Sequence, residues 1–359
     1  MEFKSRTEES INKAFQKKFE SEQKIKNAYL LVESDRLDIH LSLAAGRTGD
    51  MKADPRQPNY RASLAKIFTA TLIGMLKEED RLDYEDSIAE YLDTEIVDGL
   101  HIYRGKEYSE EIKIKHLLQH SSGLKDCFPS LLDRLVREDN FTTSPPETVK
   151  WCSENLKPDF KPGRGFNYSD TNYYLLGLIL ENITGRPFPG FLHDKIFDPL
   201  NMNDSFMWEL SRPANTRLLP VADAYINDVH INELDGYGQV DFAAGGIVAP
   251  MGDLLKFMKA LRKGQLIEQE TLAEMKQDKK QLAPGIDYGY SIWQIKTIPL
   301  VMPAKYNSWG VVGVTGAYMF YHPSTESYIM GTFNDSSQEQ KCLRFMMYGV
   351  MKNILKYSA

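Results

Sequence analysis

Strand-like segments lie at both ends of this chain and helix-like ones fill the stretch between, so a sheet built from them must join the two termini. Near the start, Leu37, Ile39, Leu41 and Leu43 alternate with Asp38, His40 and Ser42, the period of a half-buried strand. With residues 29–33 before it and Ser-Asp-Arg between, this predicts a hairpin. The same chemistry returns at 290–296, 308–313, 317–321 and 327–333. An amphipathic helix is expected to follow over 337–357. Between the two strand groups, 63–76 is apolar on most sides and predicts a buried helix. Shorter helices are expected at 86–92, 115–119, 171–182 and 253–262, and Gly185 is placed to stop the third of these. A charged helix over 8–25 carries Ile11, Phe15 and Phe19 at helical spacing and should dock by one face. The expected fold is α+β: an antiparallel sheet flanked by helices from residues 1–75 and 235–359, with a mostly helical lobe inserted at 76–234. A cleft between two such parts is where a substrate belongs.

Composition narrows the partners. Lys plus Arg number 43 against 50 Asp plus Glu, a net charge of −7, which disfavours phosphate backbones and anionic lipid, so neither nucleic acid nor membrane is expected as a partner. The three cysteines, Cys127, Cys152 and Cys342, are scattered and offer neither a disulfide framework nor a zinc site. The first 28 residues interleave charges and show no apolar signal segment, and the apolar runs at 69–76 and 173–180 are too short to span a bilayer, so a cytoplasmic location is expected.

Chemistry is concentrated in a Ser-x-x-Lys pattern, which on a helix sets an amine one turn from a hydroxyl. It occurs three times, at Ser21/Lys24, Ser63/Lys66 and Ser122/Lys125. Lys24 lies in a charged helix, and Ser122 precedes Gly123 in a turn. Only Ser63 opens an apolar helix, with Lys66 among Leu64, Ala65, Ile67 and Phe68. Burial there predicts a lowered lysine pKa, and hence a base. A plainer reading, Ser63 as a helix cap and Lys66 reaching to water, stays open from these residues alone. Tyr168, in a loop after the Pro162-Gly163 turn, could relay a proton in a cleft; equally it is one of 19 tyrosines, beside Ser169 or Asp170 as a cap.

Taken in order, Ser63-x-x-Lys66, His116-Leu-Leu-Gln-His-Ser-Ser-Gly-Leu124, Pro162-Gly leading to Tyr168-Ser-Asp-Thr-Asn-Tyr, Phe197-Asp-Pro-Leu-Asn-Met202, and Ala244-Gly-Gly-Ile-Val248 with Asp253 resemble the serine β-lactamase-like superfamily. The resemblance is to the class C branch, with its β-lactamases, D-alanyl-D-alanine carboxypeptidases and esterases, and it spans about residues 28–335. It implies Ser63 as acyl-accepting nucleophile, Lys66 as its base partner and Tyr168 as the phenol that shares the proton. It implies no cofactor and no metal. Asp170 stands where the family most often has an Asn that contacts the substrate amide, and an ionised Asp accepts but does not donate. His116 and His120 are expected to pack or anchor loops.

The chain departs from the family at the strand motif of Lys or His, Thr or Ser, then Gly. Thr315-Gly316 offers one register. A second glycine three residues after the motif glycine, and a polar-Pro pair closing the next strand, favour Val311-Val312-Gly313 with Gly316 and His322-Pro323. The family's carboxylate-holding cation and hydroxyl are then valines, each lost charge-assisted contact being worth roughly 1.5–3 kcal/mol. The oxyanion hole would survive, since it needs only the backbone N–H groups of Ser63 and Val314. Gly310, Gly313 and Gly316 admit either a ligand or a crowded neighbouring strand. Expected substrate contacts are thus Asp170, Val311, Val312 and Gly313. The expected function is a serine hydrolase on a small neutral ester or amide. Its rivals are a β-lactamase or D-Ala-D-Ala carboxypeptidase acting on a peptide, and a silent homologue that binds a ligand or partner.

Overall fold

The computed structural model describes residues 2–298 and 303–357. Nine strands form one antiparallel sheet: β1 (Asn27–Ser34), β2 (Ile39–Thr48), β3 (Met51–Lys52), β4 (Lys280–Ala283), β5 (Ile286–Tyr288), β6 (Trp293–Ile295), β7 (Ser308–Gly313), β8 (Ala317–His322) and β9 (Ser327–Thr332). Their spatial order is β4-β5-β6-β7-β8-β9-β1-β2-β3, so the first strand sits between the last one and its own hairpin partner. Tyr29 lies opposite Thr332 and Ala44, which closes the two termini into one layer. The architecture is α+β.

Strand alternation divides the core between the two faces. Leu30, Val32, Tyr318, Phe320 and Ile329 face Ile11 and Phe15 of helix α1 (Glu2–Glu20) and Met346, Val350 and Ile354 near the C-terminus. Tyr29, Leu31, Val311, Met319 and Met330 face the middle of the chain. At the centre of that second face lies helix α2 (Ala65–Glu78), in which eleven residues from Ala65 to Leu76 are buried and Phe68 stacks on Phe257 at 3.8 Å. Burying each large apolar side chain contributes about 1.5–3 kcal/mol. Helix α3 (Thr171–Thr184) packs beside α2 and ends at Gly185, whose φ of +68° favours glycine, as the sequence predicts.

Differences from expectation have local causes. The strand expected at 290–296 begins only at Trp293, because Ser291 adopts φ +58° and Gly289 N–H bonds back to Ile292 O. The helix expected at 86–92 is a single tight turn, Ile88–Glu90, capped reciprocally by Ser87 and Glu90. The C-terminal helix changes to a wider π-type turn over Met346–Met351 before resuming at Lys352–Tyr357. Among the described residues no helix is long and apolar enough to cross a membrane.

Candidate active site

Ser63 sits in a tight turn, Ala62–Leu64, immediately before α2. Ala62 adopts φ +46°, a conformation that costs a residue with a Cβ of order 1–3 kcal/mol and that the surroundings hold in place. One support is Arg61, fully buried, whose Nε donates to Ala249 O at 2.8 Å while its own N–H bonds to Ile247 O. The other is Gly313 at the end of β7. A Cβ there would lie 3.1 Å from Arg61 O and 3.3 Å from the Ala62 Cβ, so the strand end and the Ser63 turn are in contact.

Of the three Ser-x-x-Lys pairs, only Ser63 and Lys66 meet. Lys24 pairs with Asp228 and Lys125 with Asp159, both in solvent, and Ser122 Oγ donates to Asn172 Oδ1. Lys66 is 1 % exposed. Its Nζ lies 3.1 Å from Ser63 Oγ, 2.8 Å from Ala244 O and 2.7 Å from Asp170 Oδ1. The first two are hydrogen bonds donated by the lysine and the third is an ion pair. Burial alone would lower the lysine pKa, but the Asp170 charge and the polar contacts with Asp170 and Tyr168 outweigh it and hold Lys66 above its ordinary value. The expectation of a lowered lysine pKa is therefore overturned: the resting side chain is an ammonium and donates to Ser63.

Helix α4 (Tyr237–Gly245) supplies the Ala244 carbonyl and is kinked at Phe242, whose φ is +28°. The kink also aims Ala243 O at Thr69 Oγ1, 2.8 Å away, which ties α4 to α2. Tyr168 faces the same centre. Desolvation raises its phenol above the ordinary value while Lys66 opposes that rise. Beneath it lies the ring of His120, 4.2 Å away between centroids. His120 Nδ1 accepts the Ser169 N–H at 3.2 Å, so its Nε2 carries the proton offered to the Tyr288 hydroxyl at 3.1 Å. Burial and the Lys66 charge push the His120 pKa well down, keeping it neutral. His116 accepts the Lys113 N–H and is pushed down to about 4 by burial. Both histidines pack and anchor, as expected.

A cavity of about 510 Å³ opens over these groups, lined among others by Ser63, Tyr168, Asp170, Val312, Gly313 and Val314. Val312, Gly313 and Val314 thus stand beside Ser63. Val311 does not: it is 2 % exposed and packs in the core on the opposite side of the pleat, with Met319 across from it. Its expected substrate contact gives way to that burial. Thr315-Gly316 lies in the turn between β7 and β8, with Gly316 at φ +69°, so the strand carries the Val311-Val312-Gly313 register. Gly310 serves a neighbouring strand, since a Cβ there would strike Met319 O at 2.0 Å.

Three lining acids escaped the sequence reading. Asp126, two residues beyond the Ser-Ser-Gly-Leu run, accepts the Asp170 N–H at 2.9 Å. Asp241, three residues before Ala244, is 4 % exposed. Glu339 stands exposed where the C-terminal helix meets the cavity. Burial first, then the Asp170 charge, raises both Asp126 and Asp241 to about 7. Their closeness in sequence to two motifs was the available signal, but nothing in sequence said that they share a cavity.

The Beta-lactamase family profile matches residues 13–344. Penicillin-binding protein 4* of Bacillus subtilis (strain 168) is 28% identical over 300 residues, 79% of this chain and 62% of that protein, so the chain spans less than two thirds of that relative. The D-amino acid amidase of Ochrobactrum anthropi SV3, complexed with L-phenylalanine amide, is similar in structure with a TM-score of 0.78 at 21% identity, over 97% of this chain and 99% of that one. EstCE1, a hydrolase with promiscuous acyltransferase activity, gives a TM-score of 0.78 at 18% identity over the same shares. The two solved structures speak to the fold, and the sequence profile covers the segments that carry Ser63, Lys66, Tyr168 and the β7 strand: the chain belongs to the Beta-lactamase family.

Proposed function

We propose that the protein is a serine hydrolase that cleaves a small ester or amide through an acyl-Ser63 intermediate. One observation carries this: Lys66 Nζ lies between Ser63 Oγ at 3.1 Å and Asp170 Oδ1 at 2.7 Å. A protonated lysine cannot take the serine proton, so it must first release one, and Asp170 is the acceptor in contact. Transfer to Asp170 leaves a neutral amine against Ser63. That amine accepts the hydroxyl proton as Oγ bonds to the substrate carbonyl carbon, and the negative charge passes to the carbonyl oxygen, opposite the N–H groups of Ser63 and Val314. Tyr168 then gives its proton to the departing oxygen or nitrogen as the scissile bond breaks, and regains one from Lys66. Water repeats the sequence on the acyl group and restores Ser63.

The apolar β7 wall and the acids opposite it support substrates without a carboxylate, which sets ester and amide hydrolysis above penicillin recognition. The likeness to penicillin-binding protein 4* favours the second reading. A fluorescent penicillin separates them: persistent labelling or rapid turnover establishes the second. For the first, a fluorophosphonate probe followed by intact mass should give one adduct, mapped to Ser63 and absent in Ser63→Ala. Labelling at another residue, or none, overturns the assignment.

A further inference from the structure

The cleft holds more carboxyl groups than its own residues pair. Its lining includes Asp126, Asp170, Asp241 and Glu339, and none of the lining residues is basic. Lys66 is the cation beneath it; it donates to Ser63 Oγ and Ala244 O and is ion-paired with Asp170 Oδ1 at 2.7 Å. Asp170 has a cation in contact, although its Oδ1, like Asp241 Oδ2, makes no hydrogen bond among the described residues. Asp241 has no ion pair among the described residues, is 4 % exposed and lines the cavity. Such a carboxylate leaves desolvation uncompensated, at a cost several times that of a neutral polar group.

The space around Asp241 is shaped for the carboxylate. A Cβ on Gly245 would fall 2.4 Å from its Oδ1 and 2.6 Å from its Oδ2, so only glycine leaves room there, and the Phe242 kink immediately after it turns the chain. Tyr237 and Trp293 also line the cavity and add aromatic surface, which suits an ammonium as well as an apolar chain. On the β7 side the side chains of Val312 and Val314 offer an anion neither charge nor hydrogen bond. A ligand bearing a positive charge would meet a carboxyl group that has no ion pair among the described residues, whereas one bearing a carboxylate would meet acids alone.

We propose that the hydrolase prefers acyl substrates carrying a primary ammonium group, with Asp241 as the counter-charge and Asp126 as a second acid nearby. This rests on the acyl-Ser63 reading and names its substrate class. Bond changes are those already given, and the ammonium takes no part in them.

The test compares ethyl 6-aminohexanoate and β-alanine ethyl ester with ethyl hexanoate and ethyl propanoate, whose acyl chains match in length without the amine. In the wild-type chain the amino esters should show kcat/KM at least tenfold higher, and Asp241→Asn should bring the ratio close to one. Hexylammonium should compete with ethyl hexanoate at concentrations where 1-hexanol does not, a measurement that stands even where Asp241→Asn fails to fold. Ser63-dependent turnover of ethyl hexanoate with an amino-to-neutral ratio of one or less overturns the ammonium preference and leaves the hydrolase intact. A preference that persists in well-folded Asp241→Asn overturns the role of Asp241. Hydrolysis unaffected by Ser63→Ala overturns the underlying reading, while the hexylammonium competition still decides the charge preference.

Discussion

The two walls of the cleft treat charge in opposite ways. The helical wall concentrates it: Lys66, Asp170, Asp126 and Asp241 sit within reach of one another, and burial makes each depend on its neighbours. The wall formed by β7 and the turn after it excludes charge, presenting Val312, Gly313 and Val314. Proton movement needs groups whose charges are coupled in a low dielectric, and the first wall supplies them. In the proposed mechanism the second wall supplies shape and backbone N–H groups, which work without any side-chain charge. Chemistry and selectivity are therefore separable, and substitutions on the two walls should read out differently.

Removing the proposed nucleophile should break the helical wall most completely. Ser63→Ala should lower kcat by roughly a thousandfold or more on any ester, measured with unchanged circular dichroism. Next comes Asp170→Asn, which deletes the proposed proton acceptor and also the anion that helps hold Lys66 above its ordinary pKa. At pH 7 kcat should fall about 10- to 100-fold, with partial recovery as pH rises and Lys66 loses its proton to solvent. A pH profile superimposable on the wild type would show that Asp170 takes no part.

The strand wall is tested by giving it a charge. Val312→Lys should raise kcat/KM for a carboxylate-bearing ester, relative to its uncharged analogue, by about tenfold, the worth of one charge-assisted contact. No change in that ratio would mean that Val312 does not face the substrate.

The smallest effect is one of stability. Asp241 titrates at about 7 in the folded chain against an ordinary 3.8, with Asp170, Lys66 and Tyr237 acting on it and Tyr60 and Tyr174 close enough to feel its charge. A raised carboxyl pKa means that the native state binds more protons than the unfolded one between these values. Its contribution falls as pH rises from about 4 to about 7, and the penalty remains above that range. Asp241→Asn should therefore raise Tm more at pH 8 than at pH 5, by several degrees. An equal gain at both pH values would show that the carboxyl is not desolvated as described.

Legibility in the sequence followed the range of the interactions. The β7 strand, 308–313, was read with both ends correct because its pattern is local, and Gly185 was read as a helix stop because φ +68° is a property of one residue. Strand 290–296 was read too long because Ser291 bends the chain. In the site, Ser63, Lys66 and Tyr168 were visible as motif residues. The charge on Lys66 was not, since it depends on Asp170, which arrives from another helix. Val311 was misplaced for a related reason: adjacent residues of a strand face opposite sides, and the motif does not say which side the cleft occupies.

By itself the sequence determined the α+β class, the sheet closed by both termini, and the buried helix that follows Ser63 and carries Lys66. Hydrophobic period and turn chemistry act over a few residues and need no partner. Only the tertiary structure decided which of three Ser-x-x-Lys pairs meet, that Lys66 rests as an ammonium, and that Asp126 and Asp241 share a cavity with Asp170. Charge and proton affinity are set by distance and burial among residues remote in sequence, and those quantities exist only once the chain has folded.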